Sequence, residues 1–266
     1  MPGTEALADD LALIRDAAAE AGRIALGYFR QNPEVWMKGG TSPVSEADYA
    51  VDRYLRETLT AARPDYGWLS EETADNAGRL AALRTFVVDP IDGTRAFLDG
   101  RSTWCVSIAV VESGAPIAGV LDCPAKDEVF AAVLGAGVTK NGRPISVAAP
   151  REPPLIAGPR PMLDASADYL KRAVTRAPYI PSLAYRIAML AEGSLDATFI
   201  KPNSHDWDLA AAELILTEAG GWVSDPTGKR PLYATASPRH GALAAGSGPL
   251  LDSMVHAIAA MSASAL

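Results

Sequence analysis

Apolar residues recur near the start of the chain at alternating steps of four and three, which is the spacing of one face of a helix. A glycine pair at 39–40 and Pro43 then interrupt this pattern, and a second amphipathic helix is predicted to begin near Ser45. The apolar face of the first helix consists of Leu7, Leu11, Ile14, Ala18, Ala21, Ala25 and Tyr28, and that of the second of Val51, Leu55 and Leu59.

Short β-branched runs follow and predict strands. The segment 85–89 (TFVVD) predicts a buried strand that stops at Pro90. Three further strands are predicted at 103–111, 116–122 and 128–134, with turns at Ser113-Gly114 and Asn141-Gly142. Strands and helices therefore alternate in this part of the chain, with antiparallel hairpins.

A proline-rich stretch at 149–161 marks the predicted boundary between two halves, 1–150 and 151–266. Beyond it, an alanine-rich helix is predicted over 207–219, because Gly220-Gly221 is a typical helix stop. Together these patterns predict an α/β (α+β) protein with layered sheets and helices.

Charge and cysteine content exclude several classes of function. The 266 residues carry 24 basic and 32 acidic side chains, a net charge of −8. Nucleic-acid and anionic-membrane partners favour basic proteins, so neither is expected. Cys105 and Cys123 cannot form a four-thiolate zinc site, and we expect both to be buried, reduced thiols. Because no export signal or long apolar run is present, a cytoplasmic location is predicted.

The segment 87–97 (VVDPIDGTRAF) is the most informative for chemistry. A buried strand delivers Asp89 at its end, a turn presents Asp92, and Gly93 and Thr94 stand at a predicted helix start. Two carboxylates 4 Å apart repel by about 4 kcal/mol at an effective dielectric constant of 20, so a proton, a base or a metal must offset them. Oxygen ligands favour Mg²⁺, Ca²⁺ or Mn²⁺, and free N–H groups at a helix start bind phosphate.

Each of these residues also has a structural explanation. Asp92-Gly93 forms a turn and Thr94 caps a helix in many proteins without any chemistry. Ser45 and Asp48 fit a capping box, and Asp208 stands at the start of the alanine-rich helix. Glu71 and its neighbour Glu72 would ordinarily be solvated. The combination of residues in 87–97 favours a catalytic or metal-binding role over a purely structural one. Each of the other acids, taken alone, is only weak evidence for such a role.

Four ordered blocks together resemble the inositol monophosphatase superfamily of metal-dependent, lithium-sensitive phosphatases. The resemblance runs from about residue 38 to 221 and implies a layered αβαβα sandwich with its active site between the two halves. The blocks are TSPVSEAD, WLSEET, VVDPIDGTRAF and HDWDLAAAELILTEAGG.

The resemblance also implies roles for particular residues and a possible homodimer. Two or three Mg²⁺ ions per site are expected, with Asp89 bridging two of them. Thr94, with Asp48 behind it, corresponds to the pair that orients and deprotonates the attacking water. The substrate-binding residues expected are Asp92, Gly93, Thr94 and Lys201. The expected metal ligands are Glu71, Asp89 and the Ile91 carbonyl for the first ion, and Asp89, Asp92 and Asp208 for the second.

Three details favour the 3'(2'),5'-bisphosphate nucleotidase branch, which converts 3'-phosphoadenosine 5'-phosphate to AMP. Ser70 precedes the glutamates where inositol phosphatases usually have glycine, and Arg95 follows Thr94. Lys201 stands near the position where inositol phosphatases carry an acid that contacts inositol hydroxyls, and a cation suits a second phosphate better. Lys201 is otherwise an exposed loop lysine, and inositol-1-monophosphatase is the alternative function.

Two other functions fit the sequence less well. A haloacid-dehalogenase-type phosphatase needs its two aspartates two positions apart, and Asp89 and Asp92 are three apart. A metal- or phosphate-binding protein without turnover would be expected to lack some of the proposed ligands, and all of them are present. A small phosphorylated metabolite is therefore the expected substrate.

Overall fold

A computed structural model describes residues 4–40, 42–170 and 173–263. Thr41, the first residue of the TSPVSEAD block, lies outside the described residues. Short 3₁₀ turns occupy Ala77–Ala81 and Pro124–Lys126. The helices are α1 (Thr4–Tyr28), α2 (Glu46–Ala62), α3 (Thr94–Leu98), α4 (Arg160–Leu170), α5 (Leu183–Ala191), α6 (Asp206–Glu218) and α7 (Gly248–Ala263).

A hairpin of two short strands, β1 (Val35–Lys38) and β2 (Ser42–Ser45), precedes a large seven-stranded sheet. The large sheet runs in chain order, and its first two strands are parallel whereas the others are antiparallel. Its strands are β3 (Gly67–Ser70), β4 (Arg84–Asp92), β5 (Cys105–Glu112), β6 (Ala115–Cys123), β7 (Glu128–Val133), β8 (Gly137–Lys140) and β9 (Arg143–Pro144).

The remaining strands form a smaller sheet and a separate two-stranded pair. The smaller sheet has the order β11-β10-β12-β16-β14, and β13 pairs with β15. These strands are β10 (Leu155–Ala157), β11 (Thr175–Arg176), β12 (Ala197–Ile200), β13 (Ser204–His205), β14 (Trp222–Ser224), β15 (Arg239–His240) and β16 (Leu243–Gly246).

Five layers stack to give the αβαβα sandwich that the resemblance implies, so the predicted fold is confirmed. Helices α1 and α2 cover one face of the large sheet. Helices α5 and α6 lie between the two sheets, and α4 and α7 cover the outer face of the smaller one. Three clusters of buried apolar side chains fill the spaces between layers, and the central cluster takes residues from both sides of the proline-rich stretch.

Most predicted elements are present with small shifts at their ends, but one boundary is wrong. The strand predicted at 85–89 does not stop at Pro90; it continues to Asp92. Pro90 is accommodated because the pairing of β4 with β5 shifts register between Asp89 and Asp92, and a proline at a bulge has no ladder hydrogen bond to lose. The alanine-rich helix begins at Asp206, one residue earlier than predicted.

Other expectations are met by the arrangement of the core. Cys105 and Cys123 are buried and unpaired on β5 and β6. Among the described residues, none of the helices combines the length and hydropathy that a membrane crossing requires. The division into two halves at the proline-rich stretch stays a prediction.

Candidate active site

The bulge in β4 places Asp89 and Asp92 on the same side of the sheet. Asp89 pairs with Ser107 and Asp92 pairs with Cys105, so one extra residue lies on β4 between the two pairs. In a regular strand, side chains three positions apart point to opposite faces of the sheet. The extra residue shifts the alternation by one, so the side chains of Asp89 and Asp92 point to the same face. The Asp89 carboxylate also accepts a hydrogen bond of 3.0 Å from the Ile91 N–H, which holds the turned segment.

The parallel pairing of β3 with β4 brings Glu71 beside Asp89. Ser70 is opposite Val88 in the sheet, and the Glu71 N–H donates to the Val88 carbonyl at 3.2 Å. Because parallel strands end at the same edge, the residues that follow them meet there. Glu71 therefore reaches the edge at which Asp89 lies.

Two further acids are fixed by the starts of helices. Asp48 is the third residue of α2, and its Oδ2 accepts from the Ser45 N–H at 2.8 Å. Asp208 is the third residue of α6, and its Oδ2 accepts from the His205 N–H, also at 2.8 Å. Both are capping boxes, so the structural role predicted for Asp48 is confirmed. In each case the second carboxylate oxygen is left for other contacts.

Asp89, Asp92 and Asp208 form the centre of the site, with one carboxylate oxygen from each within 4.8 Å of the others. They line a cavity of about 490 Å³ whose lining residues come from both sides of the proline-rich stretch. The cavity lining includes Ser42, Pro43, Glu71, Gly93, Thr94, Arg95, Pro159, Tyr179, Pro181, Leu183, Arg186, Lys201, Asn203, Ser204, His205 and Trp207.

Crowding and burial raise the pKa of every acid at this centre. Burial, followed by the negative charge of Asp208, raises the pKa of Glu71 to about 7. Burial and the charge of Asp92 likewise raise the pKa of Asp208 to about 7. The pKa of Asp89 is raised well above its usual range by burial and then by Glu71. A cation would relieve these repulsions, so the group is suited to bind one.

The Thr94 hydroxyl lies between two potential acceptors. Its Oγ1 is 3.3 Å from Asp48 Oδ1 and 3.1 Å from the Ile91 carbonyl oxygen. Burial is the largest influence on Asp48 and raises the pKa of its carboxyl group, against the hydrogen bonds from Ser45 and Thr94. Thr94 and Asp48 are thus in direct contact next to the acidic centre.

Gly93 can take its place only because it has no side chain. Its φ is +93°, and a Cβ there would lie 2.9 Å from Ser182 Cβ and 3.1 Å from the Thr103 carbonyl oxygen. The backbone can therefore turn into α3 directly after Asp92.

Lys38, on the β1–β2 hairpin, supplies positive charge next to Glu71. Its Nζ is 2.5 Å from Glu72 Oε2 and 3.8 Å from Glu71 Oε1, and it donates to the Glu71 carbonyl at 3.1 Å. Glu72 is not a solvated surface residue, because only 2% of its side chain is exposed. The ion pair with Lys38 therefore compensates a carboxylate that burial would otherwise disfavour.

Basic and aromatic side chains form another part of the cavity wall. Lys201 is exposed at the cavity, and Arg186 is buried on α5 with no hydrogen-bond partner for its Nε among the described residues. The His205 and Trp207 rings are stacked, with centroids 4.5 Å apart and planes 4° apart. Burial and the charge of Arg239 lower the pKa of His205.

The structure brings nearly all the residues predicted from sequence to one cavity. Asp48 and Ile91 do not line it, but both contact Thr94.

Sequence reasoning missed Arg186, Lys38 and Ser182. Arg186 had a usable signal, because it is a charged residue inside the apolar run 183–191 (LAYRIAMLA). Ser182, which donates to Asp92 Oδ2, had none, since that contact joins residues 90 apart.

The carboxylates present fit a hard divalent cation. Three carboxylate groups converge and the donors are all oxygen. Burial, and then repulsion between the acids, raises the pKa of Glu71 and of Asp208, and a bound cation would remove the repulsion. Asp89, Asp92 and Asp208 could hold one ion together. Glu71, which lines the same cavity, and the Ile91 carbonyl, which contacts Thr94, could extend the site to a second ion.

Comparison with known proteins identifies what the chain resembles. A model of the inositol monophosphatase family matches residues 7–260. An inositol-1-monophosphatase of Rhizobium meliloti is 34% identical over 220 residues, which are 77% of this chain and 80% of the relative. A histidinol-phosphatase of Chlorobaculum parvum is 31% identical over 236 residues, 84% of this chain and 88% of the relative. The crystal structure of the extragenic suppressor protein suhB from Bartonella henselae superposes with a TM-score of 0.83 at 30% identity, covering 94% of this chain and 98% of that one.

Proposed function

The chain belongs to the inositol monophosphatase family, whose members are metal-dependent phosphomonoester hydrolases, and we propose on that premise that it uses Mg²⁺ to hydrolyse a small metabolite with two phosphate groups. The observation that carries the reaction class is the convergence of Asp89, Asp92 and Asp208 beside Thr94 and Asp48. The observation that carries the substrate class is the pair of cations, Arg186 and Lys201, on the same cavity. The proposed reaction is that of a 3'(2'),5'-bisphosphate nucleotidase acting on 3'-phosphoadenosine 5'-phosphate.

The metal ligands proposed are Glu71, Asp89, the Ile91 carbonyl, Asp92 and Asp208. When bound, Mg²⁺ supplies a Lewis acid that lowers the pKa of water and neutralises charge on the phosphate oxygens and the leaving group. Asp92 is held in place by three donors from the start of α5: the Ser182 hydroxyl and the N–H groups of Leu183 and Ala184. Its orientation therefore does not depend on the metal.

Thr94 and Asp48 are the proposed groups for activating water. Thr94 Oγ1 accepts the proton of the attacking water as its own proton passes to Asp48 Oδ1, 3.3 Å away. A new bond forms between the water oxygen and phosphorus as the ester P–O bond breaks, and the leaving oxygen takes a proton from a second water molecule. Asp48 then returns its proton to solvent, so the products are the alcohol and inorganic phosphate. Asp48 suits this role because burial raises the pKa of its carboxyl group, which favours the protonated product. The backbone at Gly93 and Thr94 is the proposed contact of the reacting phosphate.

A second phosphate explains the cations better than a neutral polyol does. Arg186 is buried, and among the described residues nothing accepts a hydrogen bond from its Nε. Lys201 offers a further positive charge at the cavity. Charge-assisted hydrogen bonds from such groups bind phosphate oxygens strongly, whereas inositol hydroxyls offer no charge to balance them. The two side chains are the proposed contacts of the phosphate that is not cleaved.

Inositol 1-phosphate is the second candidate substrate, and the curated relatives favour it. The Rhizobium meliloti relative is named an inositol-1-monophosphatase. A polyol would occupy the same cavity, with Lys201 turned toward solvent. Histidinol phosphate, suggested by the name of the Chlorobaculum parvum relative, serves as a further comparison.

The test is to measure Mg²⁺-dependent phosphate release from all three compounds. We expect kcat/KM to be highest for 3'-phosphoadenosine 5'-phosphate. Lys201→Glu and Arg186→Gln should each lower that value by roughly 10–100-fold, the range for losing a hydrogen bond to a charged group, and affect inositol 1-phosphate less. Lys229→Glu, which makes the same charge change at an exposed residue away from the cavity, is the control. A preference for inositol 1-phosphate that Lys201→Glu leaves unchanged would remove the bisphosphate proposal.

The cytoplasmic location and homodimer expected from the sequence also remain proposals. The acidic net charge of −8 and two buried cysteines support the first. Size measurement in solution would test the second.

A further inference from the structure

A hydrogen-bonded cluster joins α2 to the loop that carries Glu71. Asp52 lies one helical turn after Asp48 and is buried, with 8% of its surface exposed. Its Oδ1 accepts from the Ser70 hydroxyl at 2.5 Å, and its Oδ2 accepts from the Thr73 hydroxyl at 2.8 Å. The two donors stand immediately before and after the pair Glu71-Glu72. One carboxylate thus binds both ends of that short segment.

Each hydroxyl in this cluster also accepts a hydrogen bond, so its donation to Asp52 has a defined direction. The Trp68 indole N–H lies 3.3 Å from Thr73 Oγ1, and the Glu72 N–H lies 3.4 Å from Ser70 Oγ. With their acceptor sides engaged, the hydroxyl protons point to Asp52, which as a carboxylate can only accept. A cluster satisfied in this way holds its members in one arrangement.

The segment needs such a restraint because its own charges oppose its position. Glu71 lines the same cavity as Asp89, Asp92 and Asp208, whose carboxylates converge. Lys38 Nζ, 3.8 Å from Glu71 Oε1, offsets only part of this negative charge, so repulsion among the carboxylates favours moving the loop outward. The parallel pairing of β3 and β4 fixes the loop up to the Glu71 N–H, and Lys38 donates to the Glu71 carbonyl at 3.1 Å. Asp52 secures the part beyond it.

We propose that Asp52, through Ser70 and Thr73, is a positioning residue that holds Glu71 in place for the metal. The inference rests on the proposed Mg²⁺ site and assigns no contact between Asp52 and the ion. Asp52 and Asp48 lie on the same helix, so the cluster also sets Glu71 at a fixed position relative to the Thr94–Asp48 pair. Ser70 gains a role by this assignment, because glycine at that position has no hydroxyl to donate to Asp52.

The test is to measure Mg²⁺ binding to the full chain by calorimetry without substrate. Asp52→Ala removes both acceptors and should weaken Mg²⁺ binding by roughly 10–100-fold, the usual effect of losing a group that orients a ligand. Ser70→Ala and Thr73→Val each remove one hydroxyl with little change in volume and should weaken binding by about tenfold or less. In activity assays, the Mg²⁺ concentration for half-maximal rate should rise while kcat at saturating Mg²⁺ changes much less.

Two control variants separate positioning from general destabilisation. Thr73→Ser keeps the hydroxyl and should retain the Mg²⁺ affinity that Thr73→Val loses. Asp10→Asn alters another buried acid, which accepts from Tyr66 and Arg84 far from the metal ligands in the fold. It should lower the unfolding temperature and leave Mg²⁺ affinity unchanged. Equal weakening in Asp10→Asn would show that loss of stability alone accounts for the effect.

Wild-type affinity in folded Ser70→Ala and Thr73→Val would overturn the inference, even if Asp52→Ala fails to fold. These outcomes are independent of the substrate proposal. The variants could show the predicted ranking of Mg²⁺ affinity while the native chain hydrolyses no phosphomonoester. That result would contradict the proposed function alone. A chain that hydrolyses its substrate with unchanged Mg²⁺ dependence in all these variants would contradict the positioning role alone.

Discussion

The Asp92 carboxylate has two roles: it caps the start of α5, and it is a proposed metal ligand. It accepts hydrogen bonds from Ser182, Leu183 and Ala184 at the start of α5, and it also converges with Asp89 and Asp208. The positive end of the α5 dipole favours its charge, although burial raises its pKa overall. Replacing Asp92 would therefore disturb helix capping and metal binding together, and Asp89 offers a cleaner test of the metal site.

Thr94 can be tested apart from the fold, because the hydrogen-bond partners of its hydroxyl among the described residues, Asp48 and the Ile91 carbonyl, are themselves proposed site groups. Thr94→Ala should lower the rate of phosphate release by roughly 10²–10⁴-fold, since the water would lose the group that orients it and accepts its proton. The unfolding temperature should change little. Phosphate release and thermal unfolding of the same preparation are the measurements.

The matched control for Thr94→Ala is Thr60→Ala, which removes an exposed hydroxyl that bonds only to its own helix. It should leave the rate unaltered. Near-normal turnover in Thr94→Ala would remove Thr94 and Asp48 from the mechanism.

The residues that sequence could predict share a simple property: they lie in short motifs. Asp89, Asp92 and Thr94 fall within six positions, so one strand and one turn define their geometry. The contacts of Arg186 and Ser182 with the site depend on α5 docking against β4 and β5, and no local pattern encodes that docking. Glu72 shows the same limit, because its burial depends on Lys38 reaching it from a separate hairpin.

At the scale of elements, the same aspartate can cap a helix and also belong to the active site. Asp48 and Asp208 each complete a capping box with one oxygen, through Ser45 and His205, and direct the other toward the site. Capping fixes the rotamer and the helix dipole favours the charge. A helix start therefore supplies a carboxylate whose position is set before any ligand binds.

The interface between α1 and β6 contains a buried acid away from the metal site. Asp122 is 6% exposed and packs so closely on Gly22 that a Cβ at Gly22 would lie 2.1 Å from Asp122 Oδ2. Burial, and to a lesser degree the charge of Asp127, raise the pKa of Asp122 to about 7. The protonated form thus contributes stability that is complete below the unfolded pKa near 4 and is lost as the pH rises through 7.

Asp122→Asn should therefore become more stable relative to the native chain as the pH rises from 5 to 8. The expected gain is about 2 kcal/mol in the free energy of unfolding over that range, because asparagine stays neutral. Denaturant unfolding at several pH values measures it, with the exposed Asp252→Asn as control. A difference that does not vary with pH would show that Asp122 is not neutralised on folding.

The elements that sequence predicted least well are those with tertiary causes. Apolar spacing was sufficient to predict α1 and α2, and alanine content with the Gly220-Gly221 stop was sufficient to predict α6. The extension of β4 past Pro90 required its bulge against β5, and a proline in a sequence normally signals the end of a strand. The β1–β2 hairpin was missed because its β1 residues are mostly exposed and lack the alternation of a half-buried strand.

At the scale of the molecule, the acidic centre is built from residues on both sides of the proline-rich stretch, and a bound cation would balance its negative charge. Asp89 and Asp92 come from the large sheet, whereas Asp208 comes from α6 between the two sheets. Glu71 and Asp208 have pKa values of about 7 without metal. Raised carboxyl pKa values stabilise the metal-free fold at low pH, and this contribution is lost as the pH rises through 7.

Mg²⁺ should consequently stabilise the protein more at pH 8 than at pH 6. Protons compete for the same oxygens at pH 6, so Mg²⁺ affinity there should be about tenfold or more lower. The measurement is the rise in unfolding temperature on adding Mg²⁺, relative to EDTA, at each pH. Asp89→Asn should show little rise at either value. An equal rise at both pH values in the native chain would mean that these carboxyls do not take part in binding.

The central apolar cluster bears on what would happen if the backbone were cut between the halves. It joins Leu69, Val87 and Ala109 of the large sheet to Leu209 of α6 and Ala245 of the smaller sheet. The connecting residues 148–153 are exposed, so a protease could sever the chain there. The two fragments would stay associated, because each contributes side chains to the same apolar cluster. The nicked protein would keep all its proposed metal ligands. Expressed separately, neither fragment could assemble the site.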